Sequence, residues 1–272
     1  ASKLEVVKVN ADKCQDITAK YGVRDENGNL STDKLAEVAA HENVRMFEIK
    51  LAQGAKPGKG GILPAEKVTA EIARIRGISE GAASISPNRH VEAPDIAGLL
   101  DLIETVRTAT GKPTGIKFVM GDPEFVNGLM AEIAGRGIAP DFITIDGGEG
   151  GTGAAPMPLI DLVGMTIREA LPLVADLRRE FGLAERIRLV ASGKLVNPGD
   201  VAWALAAGAD FVTSARGFMF SLGCIQALKC NKNTCPSGIT THDRHLQAGL
   251  VVEDKFEKVA HYAKSVIKEV ET

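Results

Sequence analysis

Short β-branched runs alternate along the chain with stretches whose apolar positions recur at helical spacing, the pattern of parallel strand–helix units. Val44–Lys50 reads as a strand and Pro64–Arg76 after it as a helix, with Pro64 suited to a first turn. Ala83–Ser86 is a short strand, and the helix expected over Pro94–Thr108 puts Ile96, Leu99, Leu100 and Ile103 on one side. Gly115–Met120 and a helix over Pro123–Arg136 form the next unit. Asp141–Asp146 leads through a glycine-rich loop to a helix over Thr166–Phe181, where Pro172 should kink or delay the first turns. Arg188–Ser192 and Asp210–Ser214 are the last clear strands, separated by a helix over Pro198–Ala207. His261–Val270 reads as a terminal amphipathic helix.

This repeat suits a (β/α)8 TIM-type barrel better than a doubly wound sheet. Unusual chemistry follows successive strands, and barrel sites are built at the C-terminal strand ends. Six clear strands and a weaker one, Leu4–Val9, leave such a barrel short of one or two strand–helix units. Either its front lies outside this chain or the first forty residues hold strands that the pattern does not reveal. At 272 residues and 44% hydrophobic content the chain can bury a full core, and no low-complexity linker divides residues 1–272 into two domains. A net charge of -3, no basic stripe and 4% aromatic residues argue against nucleic acid as a partner. No apolar run reaches the roughly 18–20 residues that span a bilayer, so no membrane partner is expected. Ala1-Ser2-Lys3-Leu4 form no secretory signal, so a cytoplasmic, reducing setting is expected.

Three of the four cysteines, Cys224, Cys230 and Cys235, fall at C-x5-C-x4-C spacing and are followed by Pro236. Thiolates so close can converge on one inorganic group, and the cysteine–proline ending matches many iron–sulfur runs. Paired C-x2-4-C zinc knuckles are absent, so an iron–sulfur cluster is preferred to zinc. Three ligands suit a [3Fe-4S] cluster. The alternative is three buried thiols acting as small apolar residues.

Candidate chemistry also gathers at strand ends. Period-two alternation in Met46–Lys50 puts Glu48 and Lys50 on one face, either as an ion pair that sets register or as charges serving a site. Lys117, inside an apolar strand, either snorkels at an edge or stabilises an anion inside the barrel. The run Asp146-Gly147-Gly148-Glu149-Gly150-Gly151-Thr152-Gly153 follows a strand, and its bare amides can cradle an anion or approach a flat ring. It lacks the ending of a Walker A loop. Ser192-Gly193-Lys194 and Ser214-Ala215-Arg216-Gly217 end the late strands, where barrels often place a phosphate. Each alone reads as a turn; together they point to a mononucleotide pocket. The loop Lys50–Gly61, with three lysines after its strand residue counted in, is either a flexible basic surface or a dicarboxylate site.

Lys50-Leu51-Ala52-Gln53-Gly54-Ala55-Lys56-Pro57-Gly58 with Gly60-Gly61, Asp146-Gly147-Gly148 with Gly151-Thr152-Gly153-Ala154, and Cys224, Cys230 and Asn233-Thr234-Cys235-Pro236 together resemble the FMN-binding synthase domain of glutamate synthase. The likeness is strongest to its stand-alone branch and covers about residues 20–250. It implies a flavin barrel in which a [3Fe-4S] cluster passes electrons to FMN, and reduced FMN delivers hydride to 2-iminoglutarate formed from 2-oxoglutarate and ammonia. By the same resemblance, Lys117 would face the flavin N1/O2 edge. Gly148, Gly151, Thr152, Ser192, Gly193, Lys194, Ala215 and Arg216 would surround FMN and its phosphate. Lys50, Gln53, Lys56 and Arg76 would hold or polarise 2-oxoglutarate, and Cys224, Cys230 and Cys235 would bind the cluster.

The sequence departs from the multidomain members at Ile62, where they carry a glutamine, and in Ser86-Pro87-Asn88-Arg89-His90. It has no match to their first strands and no amidotransferase domain. Ammonia would then come free or from a separate amidotransferase subunit. Electrons would come from ferredoxin or a pyridine-nucleotide-oxidising subunit, since no G-x-G-x-x-G fingerprint follows a strand. Two other readings stand beside this one: N-methylglutamate synthesis with methylamine, and a non-catalytic iron–sulfur electron-transfer module.

Overall fold

The computed structural model describes residues 23, 29–57, 61–76, 78–85, 89–151 and 153–272. Leu4–Val9 and the fourth cysteine, Cys14, lie outside these residues, as do Gly58–Gly60, Ser86–Asn88 and Thr152. Five strands form one parallel sheet: β1 (Phe47–Lys50), β4 (Thr114–Phe118), β5 (Phe142–Asp146), β6 (Arg188–Ser192) and β7 (Phe211–Thr213). They lie side by side in chain order, with Lys50 beside Lys117, Lys117 beside Thr144, and Asp146 beside Ser192. A doubly wound sheet reverses direction at a switch point; this one never does. The protein is thus an α/β fold on a parallel sheet, and the described strands form an open array.

Helices α3 (Ile96–Thr110), α4 (Pro123–Arg136), α5 (Ile167–Glu180) and α6 (Pro198–Ala206) connect or precede successive strands. Ahead of them come α1 (Thr32–Ala39), which packs on α3, and α2 (Ala70–Arg76). After β7 follow α7 (Ala215–Ser221), α8 (Arg244–Gln247) and α9 (Val252–Val270). Ile116, Phe118, Ile143, Ile145, Leu189 and Ala191 form one buried core with Leu100 and Ile103 of α3, Leu129 and Met130 of α4, and Leu171 and Val174 of α5. Strand alternation therefore turns Glu48, Lys50, Lys117, Thr144, Asp146 and Ser192 to the opposite face. One face of the sheet is apolar and buried, and the other carries the chemistry.

Local signals account for the helix bounds. Asp122 accepts from Glu124 N at 2.9 Å at the head of α4, with Pro123 in the first turn. Asp95 caps α3 by accepting from Gly98 N at 2.7 Å, so that helix begins after Pro94 and not on it. Pro172 sits inside α5, yet the helix runs unbroken from Ile167 to Glu180. It begins at a capping box, Thr166 with Glu169, whose reciprocal bonds offset the proline's lost donor.

Two expectations are corrected. Pro64–Arg76 is not one helix: a 3-10 turn, Ala65–Lys67, is separated from α2 by Val68 and Thr69, which belong to neither. Ser84–Ile85, β3, does not join the parallel sheet. It pairs antiparallel with β2, Ile62–Leu63, and Ile85 is 71% exposed, so this ribbon buries no second face.

The N-terminal rim of the sheet is fastened twice in the same way. Asp141 N–H donates to Thr114 O, while its carboxylate accepts from Thr114 N at 2.7 Å and from Arg107 of α3 at 3.1 Å. Asp210 repeats this: its N–H donates to Leu189 O, and its carboxylate accepts from Leu189 N and from Arg178 of α5, each at 2.8 Å. Burial pushes the Asp210 carboxyl up, but the bonds from Leu189 N and Arg178 outweigh it and hold it below the ordinary range.

Candidate functional site

At the opposite rim, the loops after β1, β5, β6 and β7 meet. Asp146, the last residue of β5, joins two of them: one carboxylate oxygen accepts from Gly54 N at 2.7 Å and the other from Ser192 Oγ at 2.9 Å. Gly54 is obligatory there, because a methyl group would overlap Gly147 O. Gly147 N–H donates to Ser192 O at 2.7 Å, which closes β5 onto β6 beyond the regular ladder. Gly151 lies against Ala55, and its carbonyl accepts from Arg216 Nη2 at 3.1 Å. The lysine loop, the glycine loop and the late strand ends are thus brought together.

Lys50 ends β1, and its Nζ donates to Gln53 Oε1 at 2.7 Å. Of the two readings of that alternation, the ion pair of Glu48 with Lys50 does not form. Glu48 instead accepts from Lys117 Nζ at 2.6 Å and from Thr144 Oγ1 at 2.7 Å, because register places Lys117 on the neighbouring strand. Lys56 is buried in the loop. Burial, then the charges of Lys117 and Lys56, push the Lys50 ammonium below the usual lysine range. Lys50, Lys56 and Lys117 gather cationic charge at this rim, which suits an anionic ligand. Arg76 ends α2, and its side chain lies outside the described residues.

Gly148 packs on Gly164 and donates to Met165 O at 2.7 Å. Gly193 touches Gly147. Lys194 holds Asp161 at 3.0 Å, and Arg216, next to Ala215 at the start of α7, donates to Gln226 Oε1 at 2.7 Å. Two cations therefore flank the ends of β6 and β7, with a lysine on the face of the sheet and glycine backbone between them. In donor chemistry these residues fit a flavin mononucleotide, whose ring takes a cation at its pyrimidine edge and whose phosphate takes further cations and amides.

The cysteines fit their expected group less well. All three are free thiols, Cys235 buried and the other two half-buried. Among the described residues no group of three or more His, Cys, Asp or Glu side chains is placed to hold a metal ion. Cys230 lies against Gly153 of the glycine loop. Cys235 is buried, which raises its pKa, but donors on Ser237 and Thr240 outweigh that and bring the thiol down to about 6.

Sequence reasoning missed Asp146 as an anchor, Thr144 as the second partner of Glu48, and Lys67, whose Nζ donates to Cys230 O at 2.5 Å and Thr240 O at 2.6 Å. It also missed Glu149, which accepts from Ile167 N at 2.9 Å and whose burial raises its pKa. Only Asp146 and Glu149 left a signal, as the acidic members of the glycine run.

Residues 3–272 match the conserved region in glutamate synthase. The chain belongs to the glutamate synthase family. It is 46% identical over 253 residues to the glutamate synthase large subunit-like protein YerD of Bacillus subtilis, covering 93% of this chain and 48% of that protein. It is 39% identical over 228 residues to the archaeal glutamate synthase [NADPH] of Methanocaldococcus jannaschii, 82% of this chain and 44% of the relative. A third relative is the chloroplastic ferredoxin-dependent glutamate synthase of Oryza sativa, 35% identical over 82% of this chain and 14% of that one. The chain thus spans about half the length or less of these glutamate synthase relatives. Among solved structures, a flavocytochrome b2 variant with pyruvate bound covers 89% of this chain and 53% of that one at 14% identity and TM-score 0.44, too slight a likeness to add to the fold assignment.

Proposed function

We propose that this chain is the FMN-binding unit of a glutamate synthase-type oxidoreductase that converts 2-oxoglutarate and ammonia to glutamate on a (β/α)8-type barrel. The observation that carries the reading is the meeting of Lys50, Lys56 and Lys117 with the glycine loop and the β6 and β7 ends at one rim, in a chain of this family. Bound FMN would supply hydride. Ammonia condenses with the 2-oxo group with loss of water; the imine carbon then takes hydride and its nitrogen a proton.

The residues of this chain do the binding. Lys50, Lys56 and Arg76 would hold the two carboxylates, with Gln53 fixing the Lys50 ammonium. Lys50 Nζ, whose hold on its proton is weakened, suits delivery of a proton to the reacting oxygen or nitrogen. Lys117, held by Glu48, would face the flavin edge where negative charge develops on reduction. Gly148, Gly151, Thr152, Ser192 and Gly193 would line the flavin, and Lys194, Ala215 and Arg216 its phosphate. The names of the relatives support NADPH or ferredoxin as the source of electrons.

Cys224, Cys230 and Cys235 as ligands of a [3Fe-4S] cluster rest on their spacing and the family resemblance alone, and no step is routed through that cluster. The deciding experiment is anaerobic purification with flavin, iron and sulfide quantification, followed by assay with 2-oxoglutarate and ammonia or methylamine. About one FMN per chain with glutamate formed supports the proposal, and three irons per chain add the cluster. Iron without flavin favours the electron-transfer module, and faster turnover with methylamine favours N-methylglutamate synthesis.

A further inference from the structure

We infer that Tyr262 is a positioning residue for the phosphate end of the flavin site, clasping the loops after β6 and β7 to each other. The inference rests on the flavin reading above and assigns a task to a helix that lies outside the strand-end motifs. Helix α9 has no buried residue along its whole length, and Val252 and Phe256 in its first turns are 73% and 71% exposed. It packs on α6 and α7 through half-buried residues, Tyr262 among them. The ring meets Phe218 of α7 edge-on, with centroids 5.1 Å apart.

The Tyr262 hydroxyl donates to Val196 O at 2.6 Å and Ser214 Oγ donates to Leu195 O at 2.5 Å; the two hydroxyl oxygens lie 2.8 Å apart, and either proton can turn to the other oxygen only by giving up its carbonyl. Leu195 and Val196 directly follow Ser192-Gly193-Lys194, and Ser214 directly precedes Ala215-Arg216. Two hydroxyls, Ser214 just after β7 and Tyr262 of α9, therefore hold the stretch that follows Lys194, and Tyr262 braces Ser214, next to Ala215-Arg216, against it. Lys194 has φ of 47°, a left-handed backbone that a lysine holds only where its surroundings impose it. The clasp begins at the next residue. The close approach is written into the sequence on the other side too: a methyl group on Gly217 would overlap the Tyr262 hydroxyl.

The test compares FMN with riboflavin, which has the same ring system and no phosphate. Tyr262→Phe keeps the ring against Phe218 and removes only the hydroxyl. Fluorescence titration is expected to show FMN bound about tenfold more weakly by the variant, with riboflavin affinity unchanged. Ser214→Ala, which cuts the clasp from the loop side, should give the same FMN-selective loss and serves if the tyrosine variant does not fold. Unchanged FMN affinity, or equal weakening of both flavins, would overturn the inference while leaving the flavin reading intact. Wild-type protein that prefers FMN no more than riboflavin would remove the phosphate site itself, and the inference with it.

Discussion

Lys50 shares its surroundings with Lys117 and Lys56, and the consequence is measurable without any ligand. Its amine should acylate faster at pH 8–9 than exposed lysines, because burial and the two neighbouring charges favour the neutral form. Competitive labelling with acetic anhydride is the measurement. Lys117→Met should slow that labelling by raising the Lys50 pKa; labelling at the same rate would show that the two ammonium groups do not sense one another. Asp146 makes the complementary prediction. Alanine in its place leaves the Gly54 N–H and the Ser192 hydroxyl without their shared acceptor, so Asp146→Ala should cost about 1–3 kcal/mol in urea unfolding. Lys50 and Lys117 were legible as polar residues on apolar strands and Lys56 as a cation of the lysine loop, while Gln53 stood out only through the family resemblance of that loop. Asp146 was not. A carboxylate that ends a strand before glycines looks like any turn former, and the partners that give it a role are 92 and 46 residues away.

At the scale of elements, the cysteine segment is held in place from outside. Gln226, Leu228 and Asn233 all have left-handed backbones, with φ of 54°, 52° and 57°. Such residues cost energy individually, so external bonds must fix them. Arg216 holds Gln226, and Lys67 holds the carbonyls of Cys230 and Thr240. Lys67→Met is therefore expected to raise amide hydrogen exchange across 228–242 at least tenfold while α4 keeps its protection; equal protection in the segment would remove the latch. Cys235 adds a pH dependence. Its folded pKa of about 6 lies below the ordinary thiol value, so the thiolate's contribution to stability is complete above that ordinary value and is lost as pH falls toward 6. Ultraviolet titration of the metal-free thiolate should find a midpoint near 6 that Ser237→Ala moves upward. The spacing of the cysteines was visible in the chain, but Lys67, 163 residues from Cys230, was not. Helix α4 matched its expected bounds because proline, aspartate and periodicity agreed. Helix α9 begins earlier than expected, since Glu253, Asp254, Lys255, Glu257 and Lys258 hide the apolar period, and the i,i+4 pair of Asp254 with Lys258 supports it instead.

For the whole molecule, the sequence carried the direction of winding but not the number of strands. Five of the six clear runs entered the parallel sheet, and Ala83–Ser86 did not because pairing to β2, not burial, organises it. The twin fastening at the N-terminal rim was also readable in hindsight, as Asp141-Phe142-Ile143-Thr144 and Asp210-Phe211-Val212-Thr213. Arg178→Met should cost about 1–3 kcal/mol at pH 7, since it removes the closer of the two guanidinium groups on a half-buried carboxylate and leaves Arg188 at 3.2 Å. Asp210 has a depressed pKa, so its contribution is present above the ordinary carboxylate range and lost below it. The gap between wild type and variant should accordingly narrow as pH falls through that range in acid unfolding experiments. This separation of rims has an evolutionary consequence. Where the two carboxylate fastenings of the N-terminal rim share no residue with the loops that choose a ligand, selection can act on each alone, and descendants can change what they bind while inheriting that part of their resistance to heat.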